Sequence, residues 1–361
     1  MDPKGKIVLE LGPKPKNPRN SEGAFSNLKD GRIIFIYSRF NHISAADNAP
    51  ADLAAVWSDD KGESWSDEKV ILSAQQDQAE NIMSVSLNRM QNGDLGLFYF
   101  IRRGFGNGKV YLRRSADEGK TWGEAICCVP ARGYYVTNND RVIRLKDGRL
   151  ILPAGYHRTI FSQNGSSETW DSRSTTIYFL SDDDGTTWHE SSPCAIQARC
   201  SRSGLQEPGV VELKNGSLYG WARTDLGTQY EMFSFDRGNT WTAPQPSRFT
   251  SPCSPLSMKR DEKTNHLIAI FNPIPEYITR PRQTKTWNGG RTPLVCSVSR
   301  DEGQTWDELL ILEDDPDSGY CYTAMHFYED SLLLAYCAGS PADGGCLNRL
   351  RIRKMPVPGR S

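Results

Sequence analysis

The sequence has almost no net charge: 43 Lys and Arg stand against 44 Asp and Glu over 361 residues, a formal charge of -1 at pH 7. No block of Lys or Arg breaks this balance, so the electrostatic footprint of a nucleic-acid binder is missing. No uninterrupted apolar run is long enough to span a membrane, and the mean hydropathy is -0.57. Residues Met1 to Lys6 lack the basic, apolar and small-residue order of a secretory signal. As it stands, the sequence is expected to be cytoplasmic, or exported if a leader has been removed. Only five histidines are present and none of the nine cysteines forms a C-x-x-C arm, so no zinc site is expected. The odd cysteine count points to reduced, mostly buried thiols, with a Cys194 to Cys200 disulfide as the alternative. What remains is a chain whose partner is expected to be a small or neutral molecule.

What the sequence does have is a repeat. Ser58-Asp59-Asp60-Lys61-Gly62-Glu63-Ser64-Trp65 recurs as Ser115 to Trp122, Ser181 to Trp188, Ser234 to Trp241 and Ser299 to Trp306. All five fit S-x-D-x-G-x-[ST]-W, with starts 57, 66, 53 and 65 residues apart. A second repeat interleaves with it: Asp30-Gly31, Asn92-Gly93, Asp147-Gly148 and Asn215-Gly216, with degenerate copies at Asn265-His266 and Asp330-Ser331. Such dipeptides between apolar runs are strong hairpin signals, because both central residues of a type I′ turn need positive φ. Flanking runs such as Ile33 to Tyr37, Leu95 to Phe100 and Leu332 to Tyr336 read as strands. Four antiparallel strands per unit and six units of about 60 residues predict an all-β, six-bladed β-propeller occupying residues 1–361 as one domain. Strands near Leu347 to Arg353 are expected to pair with an N-terminal strand such as Lys6 to Leu11. Five copies of one turn cannot all be one active centre, so its aspartates are read as turn formers.

This combination resembles the sialidase (neuraminidase) superfamily with its Asp boxes, and the resemblance covers essentially the whole chain. It implies a carbohydrate substrate, no metal or organic cofactor, and a catalytic face carrying substrate-binding arginines, a Tyr nucleophile assisted by a Glu, and an Asp acid/base. Glu207-Pro208-Gly209 followed by Arg223, sixteen residues later, looks like the segment with the assisting Glu and one arginine. Gly290-Arg291-Thr292-Pro293 resembles the segment with another arginine. Tyr322 is in register with the nucleophile, and Tyr320 lies two residues earlier on the same strand face, which leaves both open. A phenol with a pKa near 10 is a poor nucleophile until a carboxylate takes its proton, which is why Tyr beside Glu matters. Asp47, eleven residues before Ser58, is in register with the acid/base, with Asp52 as the alternative. Arg39 is a candidate additional cation.

One position departs from the family. Sialidases place an arginine of an Arg-Ile-Pro motif just before the first turn, whereas Glu22 of Asn20-Ser21-Glu22-Gly23-Ala24-Phe25 stands there. A carboxylate at that point would repel a sialic acid carboxylate by roughly 1 to 4 kcal/mol at about 4 Å. Arg19 or Arg141 could substitute for the missing cation. The expected function is therefore exo-acting, retaining hydrolysis of glycosides of terminal acidic sugars, sialic acid or a relative. The alternative is a non-catalytic carbohydrate-binding propeller, and convergence of Asp47, Glu207 and Tyr322 on one pocket separates the two.

Overall fold

The computed structural model describes residues 2–163, 168–196, 201–274 and 289–360. Cys200, and with it the Cys194 to Cys200 alternative, lies outside the described residues, among which eight cysteines are free thiols. The protein is all-β, with two short 3-10 turns as the only helical segments among the described residues. No helix there is long and apolar enough to cross a membrane.

The strands form antiparallel groups in chain order. The first comprises Asn20–Asn27, Ile33–Phe40, Ala51–Ser58 and Lys69–Leu72, and the second Asn81–Arg89, Leu95–Arg102, Asn107–Ser115 and Ile126–Cys127. In the third, Gly133–Val136 and Ile143–Arg144 both pair with Leu150–Phe161, which is followed by Glu168–Ser181 and His189–Glu190. Short parallel pairings, Ala51 with Asn81 and Gly133 with Asn107, join these three groups into one sheet of 13 strands. Three four-stranded sheets complete the fold: Gln206–Glu212 to Gln245–Thr250, Ser257–Arg260 to Leu310–Glu313, and Gly319–Tyr328 with Ser331–Gly339, Leu350–Pro356 and the N-terminal strand Lys6–Leu11. The N-terminal strand pairs with Leu350–Pro356 from Lys6 opposite Lys354 to Leu11 opposite Leu350, as the sequence led us to expect.

The second strands, such as Ile33–Phe40 and Ser331–Gly339, are buried almost throughout because both faces are covered, which explains their unalternating apolar runs. Apolar clusters lie between consecutive groups, and one joins Phe25, Phe35 and Val56 of the first to Leu333, Ala335 and Ile352 of the last.

The repeated turns are built alike. In the second, Ser115 Oγ donates to Asp117 Oδ1 at 2.8 Å and accepts from the Gly119 amide at 2.7 Å, while Asp117 takes the Thr121 amide at 2.8 Å and its hydroxyl at 2.6 Å. The residue before each glycine is left-handed and reaches the preceding group: Glu118 accepts the Lys29 amide, Asp184 the Gln91 amide and Glu302 the Lys214 amide. The two sequence repeats interleave because each turn of one kind docks on a hairpin turn of the other.

At the centre, the segment Asn138 to Val142 touches every other group. The Asn139 side-chain amide donates to Gly23 O at 2.8 Å and Tyr322 O at 3.1 Å. Asp140 accepts from Lys259 Nζ at 2.7 Å and the Met325 amide at 2.8 Å, and its own amide donates to Val85 O. Arg141 donates to Leu256 O at 2.6 Å and Ser257 Oγ at 3.3 Å and lies over the Trp221 ring. Among the described residues no carboxylate lies within ion-pairing distance of it, and burial lowers its pKa to about 10 despite Asp140 nearby.

Two outcomes follow. Hydrogen bonds from Thr121 hold the Asp117 carboxyl at about 2, against 3.8 when free. The depressed folded value means its stabilisation is present above 3.8 and is lost as pH falls towards about 2. Thermal unfolding should therefore show a melting-temperature gap between wild type and Asp117→Asn at neutral pH that closes across this window. Asp140→Ala leaves Lys259 and the Met325 amide without their shared acceptor and should cost about 3 kcal/mol in urea unfolding.

Candidate active site

Four inner strands carry the same irregularity. Across the pairs Ser21/Ala24, Met83/Ser86, Gln206/Gly209 and Cys321/Ala324 the inner strand holds one residue more than its neighbour. Within each bulge a non-glycine residue is left-handed: Glu22 at φ 51°, Ser84 at 58°, Glu207 at 46° and Tyr322 at 58°. Such backbone costs about 1 to 3 kcal/mol per residue and re-aims the side chain out of the pleat. All four line one cavity of about 460 Å³. Gly23 and Gly209 follow two of them at close approach: a Cβ would lie 2.3 Å from the Phe35 ring or 2.2 Å from the Trp221 ring.

On one side of the cavity Tyr322 Oη donates to Glu207 Oε1 at 2.9 Å, and Arg223 Nη1 donates to Glu207 Oε2 at 2.9 Å while lying 3.5 Å from Tyr322 Oη. Arg291 lies over the Tyr322 ring, 5.4 Å from its centroid, and donates to Cys321 Sγ. Burial pushes the Glu207 carboxyl up, but Arg223 and then Arg291 outweigh it and hold the carboxylate below its usual range. Burial and the Glu207 charge push the Tyr322 phenol well up, against the pull of the two arginines. The pair therefore rests as carboxylate and neutral phenol joined by a hydrogen bond. That is the state from which a base can take the phenol proton as the oxygen bonds to carbon.

Asp47 lines the same cavity, in the loop before Ala51–Ser58 and largely exposed. Arg19 Nη1 donates to its Oδ1 at 2.5 Å, and Arg19 Nη2 donates to Glu22 Oε2 at 2.9 Å. Arg19 itself is buried, over the Phe40 ring, and is not part of the cavity lining. Although its side chain is open to solvent, the protein atoms crowded around Asp47 partly desolvate it and push its pKa up, but Arg19, with Arg102 and Arg291 further off, outweighs this and holds the carboxyl below its usual range. For Glu22 burial wins over Arg19, and its pKa is raised.

Thus Asp47, Glu207, Tyr322, Arg223, Arg291 and Glu22 share one cavity. Arg39, Arg141, Tyr320 and Asp52 do not line it. Arg39 pairs with Glu68 at 3.4 Å and donates to Asn41. Arg141 is buried in the central segment, where Nη2 donates to Leu256 O and Nη1 to Ser257 Oγ, while Nε has no partner among the described residues. Tyr320 packs edge-on against Tyr336 in the core, because the bulge after Cys321 breaks the alternation that put both tyrosines on one face. Asp52 accepts the Asn41 side-chain amide and the Ala74 amide.

Sequence reasoning missed Ser84, Arg102, Asn138 and an aromatic wall. Trp170 stacks on Phe105 with 6.2 Å between centroids and meets His157 and Tyr134 edge-on. His157 Nδ1 lies 2.9 Å from Asp171 O, which only accepts, so this nitrogen carries the proton. Burial lowers the His157 pKa to about 4, leaving the ring neutral. A tryptophan outside the five repeated turns was the available signal for Trp170. Among the described residues no group of three or more His, Cys, Asp or Glu is placed to hold a metal ion.

Comparison with known proteins fits this geometry. Residues 47–334 match the BNR repeat-like domain family. A search of curated proteins gave no match. Among solved structures, a Dyadobacter fermentans protein of unknown function aligns at TM-score 0.72 and 17% identity over 98% of this chain and 100% of its own. A Hadza microbial sialidase aligns at TM-score 0.71 and 18% identity over 95% of this chain and 66% of its own. The Trypanosoma rangeli sialidase in complex with sialic acid aligns at TM-score 0.68 and 16% identity over 98% of this chain and 58% of its own. At such identities the likeness is one of fold. With most of its length matched by the family model, the chain belongs to the BNR repeat-like domain family, and its fold is one that sialidases share.

Proposed function

We propose that this protein is a retaining, exo-acting glycoside hydrolase built on a single six-bladed propeller. The six strand groups, the apolar cluster between last and first, and the central segment that reaches all of them support the architecture. The observation that carries the chemistry is the 2.9 Å bond from Tyr322 Oη to Glu207 Oε1 in a cavity that also holds Asp47.

Glu207 takes the phenol proton as Tyr322 Oη bonds to the anomeric carbon, and Asp47 donates a proton to the departing glycosidic oxygen. In the second half Asp47 takes a proton from water, whose oxygen bonds to the anomeric carbon as the bond to Tyr322 breaks and Glu207 returns its proton. Arg223 orients Glu207, and Arg223 and Arg291 fit an acidic or polyhydroxylated glycone. The Arg19 to Asp47 ion pair favours a second reading, a carbohydrate-binding protein without turnover, since it keeps the acid ionised.

Hydrolysis of a panel of aryl glycosides of sialic, uronic and neutral sugars separates the two. Tyr322→Phe should abolish turnover of whichever glycoside is cleaved, and Glu207→Gln should lower kcat by about 10² to 10⁴. Unimpaired variants overturn the catalytic assignment. Because Asp47 is held below the usual carboxylate range, its protonated fraction falls tenfold per pH unit above its pKa. For substrates with poor leaving groups kcat/KM should therefore rise as pH falls through neutral, with a much flatter profile for nitrophenyl glycosides that need no acid.

A further inference from the structure

We propose that Glu22 determines the glycone: its free carboxylate oxygen accepts hydrogen bonds from ring hydroxyls beside the anomeric carbon, so the pocket takes a polyhydroxylated sugar that is uncharged on that side. This rests on the reading of the cavity as a glycone pocket. The Glu22 side chain is only 6% exposed, yet it lines the cavity. Oε2 is fixed twice, by Arg19 Nη2 at 2.9 Å and Ser21 Oγ at 2.6 Å, whereas Oε1 has no hydrogen-bond partner among the described residues. A fixed carboxylate with one open oxygen is an acceptor whose orientation is already set.

Its place in the cavity says what it would meet. The Asn139 amide holds both Gly23 O and Tyr322 O, which ties the Glu22 bulge to the Tyr322 bulge. The carboxylate is thus a neighbour of the oxygen that would attack the anomeric carbon. A hydroxyl next to that carbon becomes a stronger donor as positive charge develops on the ring, so its bond to Glu22 strengthens in the transition state.

In the same cavity Ser84 offers a hydroxyl, and Asn138 Nδ2 is a buried donor without a hydrogen-bond partner among the described residues. An acceptor, a hydroxyl and an amide donor in one cavity suit vicinal hydroxyls. A glycone carboxylate turned to these groups would meet the Glu22 charge instead. Arg223 is engaged by Glu207 and Cys253, and Arg291 gives one donor to Cys321.

The test measures binding in the Tyr322→Phe protein by titration calorimetry, so that turnover is not needed. The probes are methyl glycosides of galactose, mannose and fucose as neutral sugars, and N-acetylneuraminic and galacturonic acids as charged ones. At least one neutral glycoside should bind about tenfold or more tightly than either acid. Glu22→Ala should lose that binding about tenfold or more, and Glu22→Arg should reverse the preference. Glu22→Gln retains the shape, but its one oxygen faces the Arg19 and Ser21 donors and its NH2 turns to the cavity. It should weaken neutral binding while admitting the acids, and that gained binding guards against misfolding as the cause of the loss. Tighter binding of an acid than of every neutral sugar, or neutral binding indifferent to Glu22→Ala, overturns the proposal. If the preference holds and wild type hydrolyses no aryl glycoside, the catalytic reading fails and this one stands. If sialosides are the preferred substrates, the reverse holds, and absence of any sugar binding overturns both.

Discussion

The structure depends on what happens where inner strands of several groups meet in shared hydrogen bonds. Backbone groups there have neither water nor a flat sheet to satisfy them, and one segment, Asn138 to Val142, supplies the missing partners through side chains. Asn139 serves two carbonyls, Asp140 joins a lysine and an amide, and Arg141 fills carbonyl and hydroxyl acceptors without a carboxylate of its own. Burying a guanidinium in this way is costly. What it provides is a rigid set of tethers for the bulges, and the bulges hold Glu22, Glu207 and Tyr322 in left-handed backbone that would relax if released.

Electrostatically the site has two poles joined through buried arginines. Around Tyr322, Arg223 and Arg291 keep Glu207 charged and temper the rise of the phenol. Around Asp47, one arginine serves two carboxylates: Arg19 binds Glu22 with one nitrogen and Asp47 with another. The acid/base candidate and the departure from the family pattern are therefore electrically linked. Whatever neutralises Glu22 strengthens the grip of Arg19 on Asp47, and a ligand that draws Asp47 away from Arg19 leaves Glu22 with the whole cation.

Much of this was legible in the sequence because it is local. The five Ser-x-Asp turns, the Asp-Gly and Asn-Gly hairpins and the apolar second strands each carry their own pattern, although in the hairpin turns only the glycine is left-handed, not both central residues as in a type I′ turn. Lys6–Leu11 was expected to pair near Leu347 to Arg353, and its partner is Leu350–Pro356. Glu207, Arg223, Arg291, Tyr322 and Asp47 were found through motifs and do share a cavity. The sequence was silent on the bulges, since a positive φ at Glu22, Ser84, Glu207 or Tyr322 leaves no composition signal of the kind glycine leaves. Alternation therefore could not tell Tyr320 from Tyr322, and Ser84 went unnoticed. Arg39 and Arg141 both read as candidate site cations, because the Glu68 that holds one and the Leu256 carbonyl that holds the other are distant in sequence. The aromatic wall was hidden similarly, with Phe105, Tyr134 and Trp170 coming from three separate strand connections and edges.

The pairing of the first strand with the last also fixes how the fold would yield to force. Lys6 lies opposite Lys354 at one end of the last ladder, and Leu11 lies opposite Leu350 at the other. Tension applied at Lys6 and Pro356 enters this ladder from the same end and opens it one residue pair after another, like a zip. Tension applied between the inner strands instead loads the Asn139, Asp140 and Arg141 tethers together, in parallel. These two geometries make the fold softer where Lys6 and Pro356 are pulled apart than across the central segment, with the catalytic candidates mounted on the stiffer part.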